Sequence, residues 1–218
     1  MFRPILSRDH PVTLVGGSEG SVELLNKALR HAPTLVAADG GARLALAAGH
    51  EPSAVVGDLD SLGDLDLEGL ELFSMPDQNF TDFQKCLQAV QAPLFIGVGF
   101  LGGRLDHQLA AFTALLGDER PVVLLSAREL AFIAPRKLFM ELPLKTALAL
   151  YPLLPARLTT RGLKYPLDNA EVAPDGLIST SNEVLGPVEI ETDRHGVLVT
   201  APLAALETVI GALSVPAR

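Results

Sequence analysis

Five aspartates, Asp39, Asp58, Asp60, Asp82 and Asp106, stand in short clusters of glycine and polar residues. The clusters read Ala38-Asp39-Gly40-Gly41, Gly57-Asp58-Leu59-Asp60-Ser61, Asp77-Gln78-Asn79-Phe80-Thr81-Asp82 and Gly102-Gly103-Arg104-Leu105-Asp106-His107. Carboxylates gathered at one place repel one another unless cations sit among them. Hard oxygen donors of this kind suit magnesium, which keeps several waters and bridges substrate phosphates. Lys85 and Arg104 add positive charge that can stabilise a transferring phosphoryl group. Glycines 40, 41, 102 and 103 allow backbone amides to approach phosphates closely. The residue types therefore point to metal-dependent phosphoryl chemistry.

Each cluster also has an ordinary structural reading. Asp-Gly-Gly is a common turn, Thr81 followed by Gln84 is a helix capping box, and Asp106 suits a first helical turn. His107 reads as a helix-surface or packing residue. What sets the clusters apart is their position along the chain. Apolar runs at 12–15, 34–38, 54–56, 94–98 and 122–125 read as buried strands. Helical patterns at 21–30, 42–48, 82–90 and 105–116 alternate with them, the third carrying Phe83, Leu87 and Val90 on one face. The fourth repeats the pattern with Leu105, Leu109, Phe112 and Leu116. This alternation predicts an α/β unit with a mostly parallel, Rossmann-like sheet and flanking helices. Ligands bind such sheets beyond the carboxyl ends of the strands, where all five aspartates map.

From about residue 129 the pattern changes. Short segments at 130–134, 147–151, 158–163, 188–191 and 197–200 are separated by Pro, Gly, Asn and Asp, which predicts an antiparallel β-sandwich or barrel. The expected division is 1–127 and 128–218. Beyond residue 202, Leu203, Leu206, Ile210 and Leu213 predict an amphipathic helix packed on its own domain.

Composition narrows the function classes. The 218 residues carry 17 Lys and Arg against 26 Asp and Glu, a net charge of −9, with no basic cluster. A nucleic-acid or anionic-membrane partner is therefore not expected. Apolar runs fall short of the ~20 residues of a membrane helix, and the first ten residues lack the apolar stretch of a secretory signal. With a single cysteine, Cys86, the expectation is a cytoplasmic protein. No Gly-x-x-x-x-Gly-Lys-Ser/Thr loop occurs, and Gly16-Gly17-Ser18-Glu19-Gly20 lacks dinucleotide-fold spacing. Asp58-Leu59-Asp60 has the form of an Asp-x-Asp phosphatase loop with Asp58 as nucleophile, but Leu62 stands where Thr or Val is usual.

The clusters, in this order, resemble the thiamin pyrophosphokinase family. Gly162-Leu163-Lys164-Tyr165-Pro166-Leu167 and Ser179-Thr180-Ser181-Asn182-Glu183 resemble that family's C-terminal signatures, so the likeness spans about residues 12–200. It implies an ATP-dependent pyrophosphotransferase that makes thiamin pyrophosphate and AMP from thiamin and ATP. It further implies an ATP- and magnesium-binding α/β domain, a thiamin-binding sandwich, and a homodimer whose active sites are shared between subunits. By the same resemblance Asp39, Asp58, Asp60 and Asp106 hold magnesium, with Gly40 beside the nucleotide, and Thr81, Lys85 and Arg104 contact phosphates. Gln78, Asp82, Ser179 and Asn182 shape the thiamin site, and Asp82 accepts the hydroxyl proton. Asp60 and Arg104 join it as catalytic groups. A non-catalytic thiamin or nucleotide sensor on the same fold, or the Asp-x-Asp phosphatase, are the alternatives. Asn79 departs from relatives with a further acid there. The chain has no Trp, so contact with the pyrimidine is expected from Phe80, another Phe or a Tyr, or from aliphatic side chains.

Overall fold

The structure, a computed structural model, describes residues 4–65 and 68–214. The chain divides into two compact units, up to Ala127 and from Arg128 onward. In the first, β1 (Leu6–Ser7), β2 (Val12–Val15), α1 (Val22–Leu29), β3 (Thr34–Ala38), α2 (Ala42–Ala47), β4 (Ala54–Gly57) and β5 (Leu72–Ser74) come first. They are followed by α3 (Asp82–Ala89), β6 (Val90–Gln91), β7 (Phe95–Val98), α4 (Leu105–Leu116) and β8 (Val122–Leu125). Six strands form one parallel sheet in the order β8-β7-β2-β3-β4-β5, while β1 and β6 pair separately. Strands β2, β4, β7 and β8 are buried along their whole length. Their unbroken apolar runs are what a parallel sheet covered on both faces requires.

The chain runs outward from β2 through β3, β4 and β5 on one side and through β7 and β8 on the other. Connections leaving β2 and β7 therefore diverge, and a crevice opens between the carboxyl ends of those two strands. Gly16 and Gly99 meet there: a Cβ on Gly99 would lie 2.3 Å from the Gly16 carbonyl oxygen.

Helix α4 departs from the expected face. Ala111, Ala114 and Leu115 are buried, whereas Leu105 and Leu109 are 69% and 56% exposed. The small Ala side chains form the buried side of the helix, and that choice turns the Leu105–Leu109 stripe outward. Helix α3 ends one residue earlier than its pattern suggested, because Val90 adopts an extended conformation and enters β6.

The second unit is antiparallel: β9 (Glu129–Ile133), β10 (Lys137–Met140), β11 (Ala147–Pro152), β12 (Ala156–Leu163), β13 (Ala170–Val172), β14 (Ser179–Thr192) and β15 (Val197–Pro202). One sheet runs β14-β11-β15-β9, and β14 also pairs with β10 and β12. Strand β14 thus serves two layers. Its residues up to Glu183 pair with β11 and those from Val188 with β10, while β12 follows it across Gly186-Pro187 with a register shift between Arg161 and Leu163. Gly162 sits in that shift at φ 74°, where a Cβ would lie 1.9 Å from the Pro187 carbonyl oxygen. A short C-terminal helix, α5 (Leu206–Ser214), packs on β10. Its buried residues are Leu206 and Val209, with Ile210 and Leu213 at the margin rather than on the expected apolar face. The last four residues of the expected extension lie outside the described residues. Among those described, no helix is long and apolar enough to cross a membrane.

Candidate active site

Three of the five aspartates meet. Carboxylate oxygens of Asp39, Asp58 and Asp82 lie within 4.8 Å of one another. Each is delivered by the end of an element. Asp39 follows β3 with φ 42° and begins a single 3-10 turn leading into α2. Asp58 follows β4, and Gly57 before it permits the convergence. A Cβ on Gly57 would lie 2.7 Å from the Asp39 Cβ and 3.2 Å from Asp82 Oδ1. Asp82 is the first residue of α3, whose N-terminus is fixed by a capping box. The Gln84 amide donates to Thr81 Oγ1 at 3.3 Å, and the Thr81 amide donates to Gln84 Oε1 at 3.0 Å.

The triad is electrostatically uneven. Gln78 Nε2 donates to Asp58 Oδ2 at 2.9 Å, which holds the Asp58 carboxyl below its ordinary pKa, with Lys85 contributing in the same direction. Burial pushes Asp82 upward, partly offset by the Lys85 ammonium 2.9 Å from its Oδ1. Asp39 is only 3% exposed, and its Oδ1 is buried without a hydrogen-bond partner among the described residues. A buried carboxylate oxygen left unsatisfied is costly unless a cation or donor completes it. That oxygen, beside two further carboxylates, fits a hard divalent cation.

A pocket of about 660 Å³ opens over the triad. Gly40, Gln78, Thr81 and Lys85 border it, as does Phe80. Asp60 is exposed and takes the Ser61 hydroxyl at 2.9 Å, outside the triad. Arg104 and Asp106 form a forked ion pair with each other, Nε–Oδ1 3.1 Å and NH2–Oδ2 2.5 Å, and both are exposed away from the pocket lining. The guanidinium depresses the Asp106 carboxyl. The five carboxylates thus share a sheet edge, but only three share a centre.

Other residues enter the pocket unannounced by their motifs. Gly16, Gly17 and Ser18 line it from the loop after β2. Ser18 locks that loop to the one after β7, its hydroxyl donating to the Gly102 carbonyl at 2.9 Å. The spacing of Gly16–Gly20 gave no dinucleotide signature; the usable signal was its place beyond a central strand. His107, read as a surface or packing residue, borders the pocket with Ala110 and Ala111. Cys86, on the buried side of α3, has its thiol pushed far up by burial, so it offers no thiolate nucleophile.

In the second unit, Ser179 and Asn182 are buried. The Asn182 side chain acts as a backbone surrogate: Oδ1 accepts from the Tyr165 amide at 3.0 Å and Nδ2 donates to the Tyr165 carbonyl at 2.8 Å. Nδ2 also lies 3.5 Å from Ser179 Oγ. Both family-like signatures of this unit therefore meet at one turn, which presents the exposed Tyr165 ring.

Family models agree with this division of the chain. Thiamin pyrophosphokinase, catalytic domain, matches residues 25–124, and thiamin pyrophosphokinase, vitamin B1 binding domain, matches residues 139–197. Thiamine pyrophosphokinase 2 of Arabidopsis thaliana is 30% identical over 204 residues, covering 75% of this chain and 76% of that protein. The chain belongs to the thiamin pyrophosphokinase family. Thiamin pyrophosphokinase 1 of Caenorhabditis elegans is 29% identical over 152 residues, and the match spans 61% of this chain and 63% of that relative's length. Among solved structures, a Lactobacillus plantarum protein is 27% identical, with a TM-score of 0.70 over 88% of this chain and 98% of its own. Thiamin pyrophosphokinase from Candida albicans shares the fold at 18% identity, with a TM-score of 0.76 over 89% of each chain.

Proposed function

We propose that this chain transfers the pyrophosphoryl group of ATP to the hydroxyl of thiamin, giving thiamin pyrophosphate and AMP. The observation that carries the reading is the convergence of Asp39, Asp58 and Asp82, with a buried unsatisfied oxygen, in a domain of the thiamin pyrophosphokinase family.

Asp39 and Asp58 would hold magnesium, which when bound supplies charge neutralisation for the polyphosphate. Asp82 orients the thiamin hydroxyl and takes its proton at Oδ2, since Oδ1 is occupied by Lys85. The hydroxyl oxygen bonds to the β-phosphorus, the bond from that phosphorus to the α–β bridging oxygen breaks, and AMP leaves. Such a transfer asks the protein mainly for alignment and charge stabilisation. Thr81 and the Gly16–Ser18 and Gly40 backbones contact phosphates from the pocket wall. Asp60 would reach the metal or its waters only after its loop turns inward, and Arg104 and Asp106, the latter in the first turn of α4, only after releasing one another. Gln78 serves the thiamin side and at the same time steadies Asp58. We place the protein in the cytoplasm as a homodimer in which Ser179 and Asn182 of a second copy shape the thiamin site. The exposed Leu105–Leu109 stripe is apolar surface of the kind a partner covers.

A phosphatase built on Asp58 fits less well, because its second acid, Asp60, stands outside the pocket. The deciding experiment supplies ATP and magnesium with and without thiamin and separates the nucleotides. AMP that appears only with thiamin is expected. Phosphate without AMP would support the hydrolase, and ligand binding without turnover would support a sensor.

A further inference from the structure

Lys85 is among the largest fully buried side chains of the molecule, with 2% of its side chain exposed. It leaves α3 one turn after Asp82. Its Nζ donates to Asp82 Oδ1 at 2.9 Å and stands 3.9 Å from Asp58 Oδ2. A buried ammonium persists only where opposite charge lies at this distance, and here two of the three converging carboxylates supply it. It borders the pocket, but at 2% exposure and with Nζ turned to the two carboxylates it offers little surface to a phosphate oxygen entering there. Thr81, by contrast, is exposed at the rim.

We propose that Lys85 is a positioning residue, an internal counter-ion that fixes the Asp82 and Asp58 carboxylates, and not a contact for the nucleotide's phosphates. The family resemblance implied the second role; the burial and the two ion pairs favour the first. The fixed charge has two effects. It holds Asp82 in one orientation toward the acceptor hydroxyl, which rests on the reading of Asp82 as proton acceptor. It also cancels part of the triad's charge, so the centre binds a divalent cation less tightly than three free carboxylates would, and its arrangement does not depend on the cation being present.

Two measurements test this. In Lys85→Met the buried volume is kept and the charge removed. Manganese titrated into the nucleotide-free variant should bind roughly tenfold more tightly than to the wild type, because a positive charge within 4 Å of two carboxylates is gone. The kcat should fall roughly 10²-fold with the KM for ATP changed less than about threefold, since orientation in the transition state is lost and ground-state binding is not. Lys85→Arg, which keeps the charge but alters its reach, should restore manganese affinity toward the wild-type value without restoring kcat. Unchanged manganese affinity in Lys85→Met, or a KM for ATP raised tenfold with kcat kept, overturns the proposal. Should the variants fail to fold, amine labelling of the wild type decides. Lys85 should resist modification both alone and with magnesium and a non-hydrolysable ATP analogue. Labelling in the free protein that disappears with nucleotide would mean phosphates reach it. The titration and the labelling need neither thiamin nor turnover, so a chain that made no thiamin pyrophosphate would remove the activity reading and leave these results intact.

Discussion

Asp58 and Asp60 are two positions apart, yet Asp58 is tied to Gln78 and faces Lys85, while the Asp60 carboxylate is exposed and takes its neighbour's hydroxyl. Asp58→Asn should therefore lower kcat/KM by roughly 10²-fold or more, and Asp60→Asn by clearly less. Steady-state rates on the two variants check the order, and equal losses would bring Asp60 into the centre. Titration of Asp82 gives a second expectation. Its carboxyl is pushed above 3.8 by burial, and only its ionised form accepts a proton. The rate should fall as pH is lowered through that raised value. Lys85 pulls the value down, so in Lys85→Met the acid limb of the pH–rate profile moves to higher pH; a limb that stays put would detach Lys85 from Asp82. The stability sign is opposite for the two acids. Ionised Asp82 weakens the fold at neutral pH, and the penalty is relieved as pH falls through its raised value. Asp58 stabilises above the ordinary carboxylate range and loses that contribution as pH falls through its depressed one. Of the site, the aspartates after β3 and β4 and at the start of α3 were legible, because strand ends and caps are written in the local sequence. The separation of Asp58 from Asp60 was not, because it is made by Leu59 at φ 70°, a conformation its residue type does not announce.

At the scale of elements, α3 carries the site. Its capping box sets where the helix begins, and the helix places Asp82 and Lys85 one turn apart. Thr81→Ala should cost about 1 kcal/mol of stability and lower kcat several-fold, whereas Thr81→Ser should retain both. Thermal melts and rates on the same preparations check it; a Thr81→Ala variant that loses activity without losing stability would assign the loss to the phosphate contact alone. The strands of the parallel sheet were readable as apolar runs, since burial on both faces leaves no alternation to misread. Helix α4 and strand β14 were not. The alanines of α4 carried as much packing information as its leucines, and the long β14 runs through Gly186-Pro187, a pair that reads as a break. It survives because the strand changes partners there, opposite the bulge at Gly162.

For the molecule as a whole, the proposed shared-site homodimer makes a quantitative prediction. Asp58→Asn damages one unit and Asn182→Ala, by freeing the Tyr165 turn, damages the other. If each site takes one unit from each subunit, a mixed dimer has one site with both lesions and one with neither. Random pairing makes about half of the dimers mixed, so co-expression should restore roughly a quarter of wild-type activity. Activity at the mean of the two single variants, in a sample shown by mass to hold mixed dimers, contradicts shared sites. The most direct test of the central claim follows the phosphorus atoms. ATP labelled separately at the β and γ positions is given to the purified wild-type protein with magnesium and thiamin. Both labels should appear in thiamin pyrophosphate, with one AMP released per product. Transfer of the γ label alone, to thiamin or to water, with ADP as the nucleotide product, would contradict pyrophosphoryl transfer.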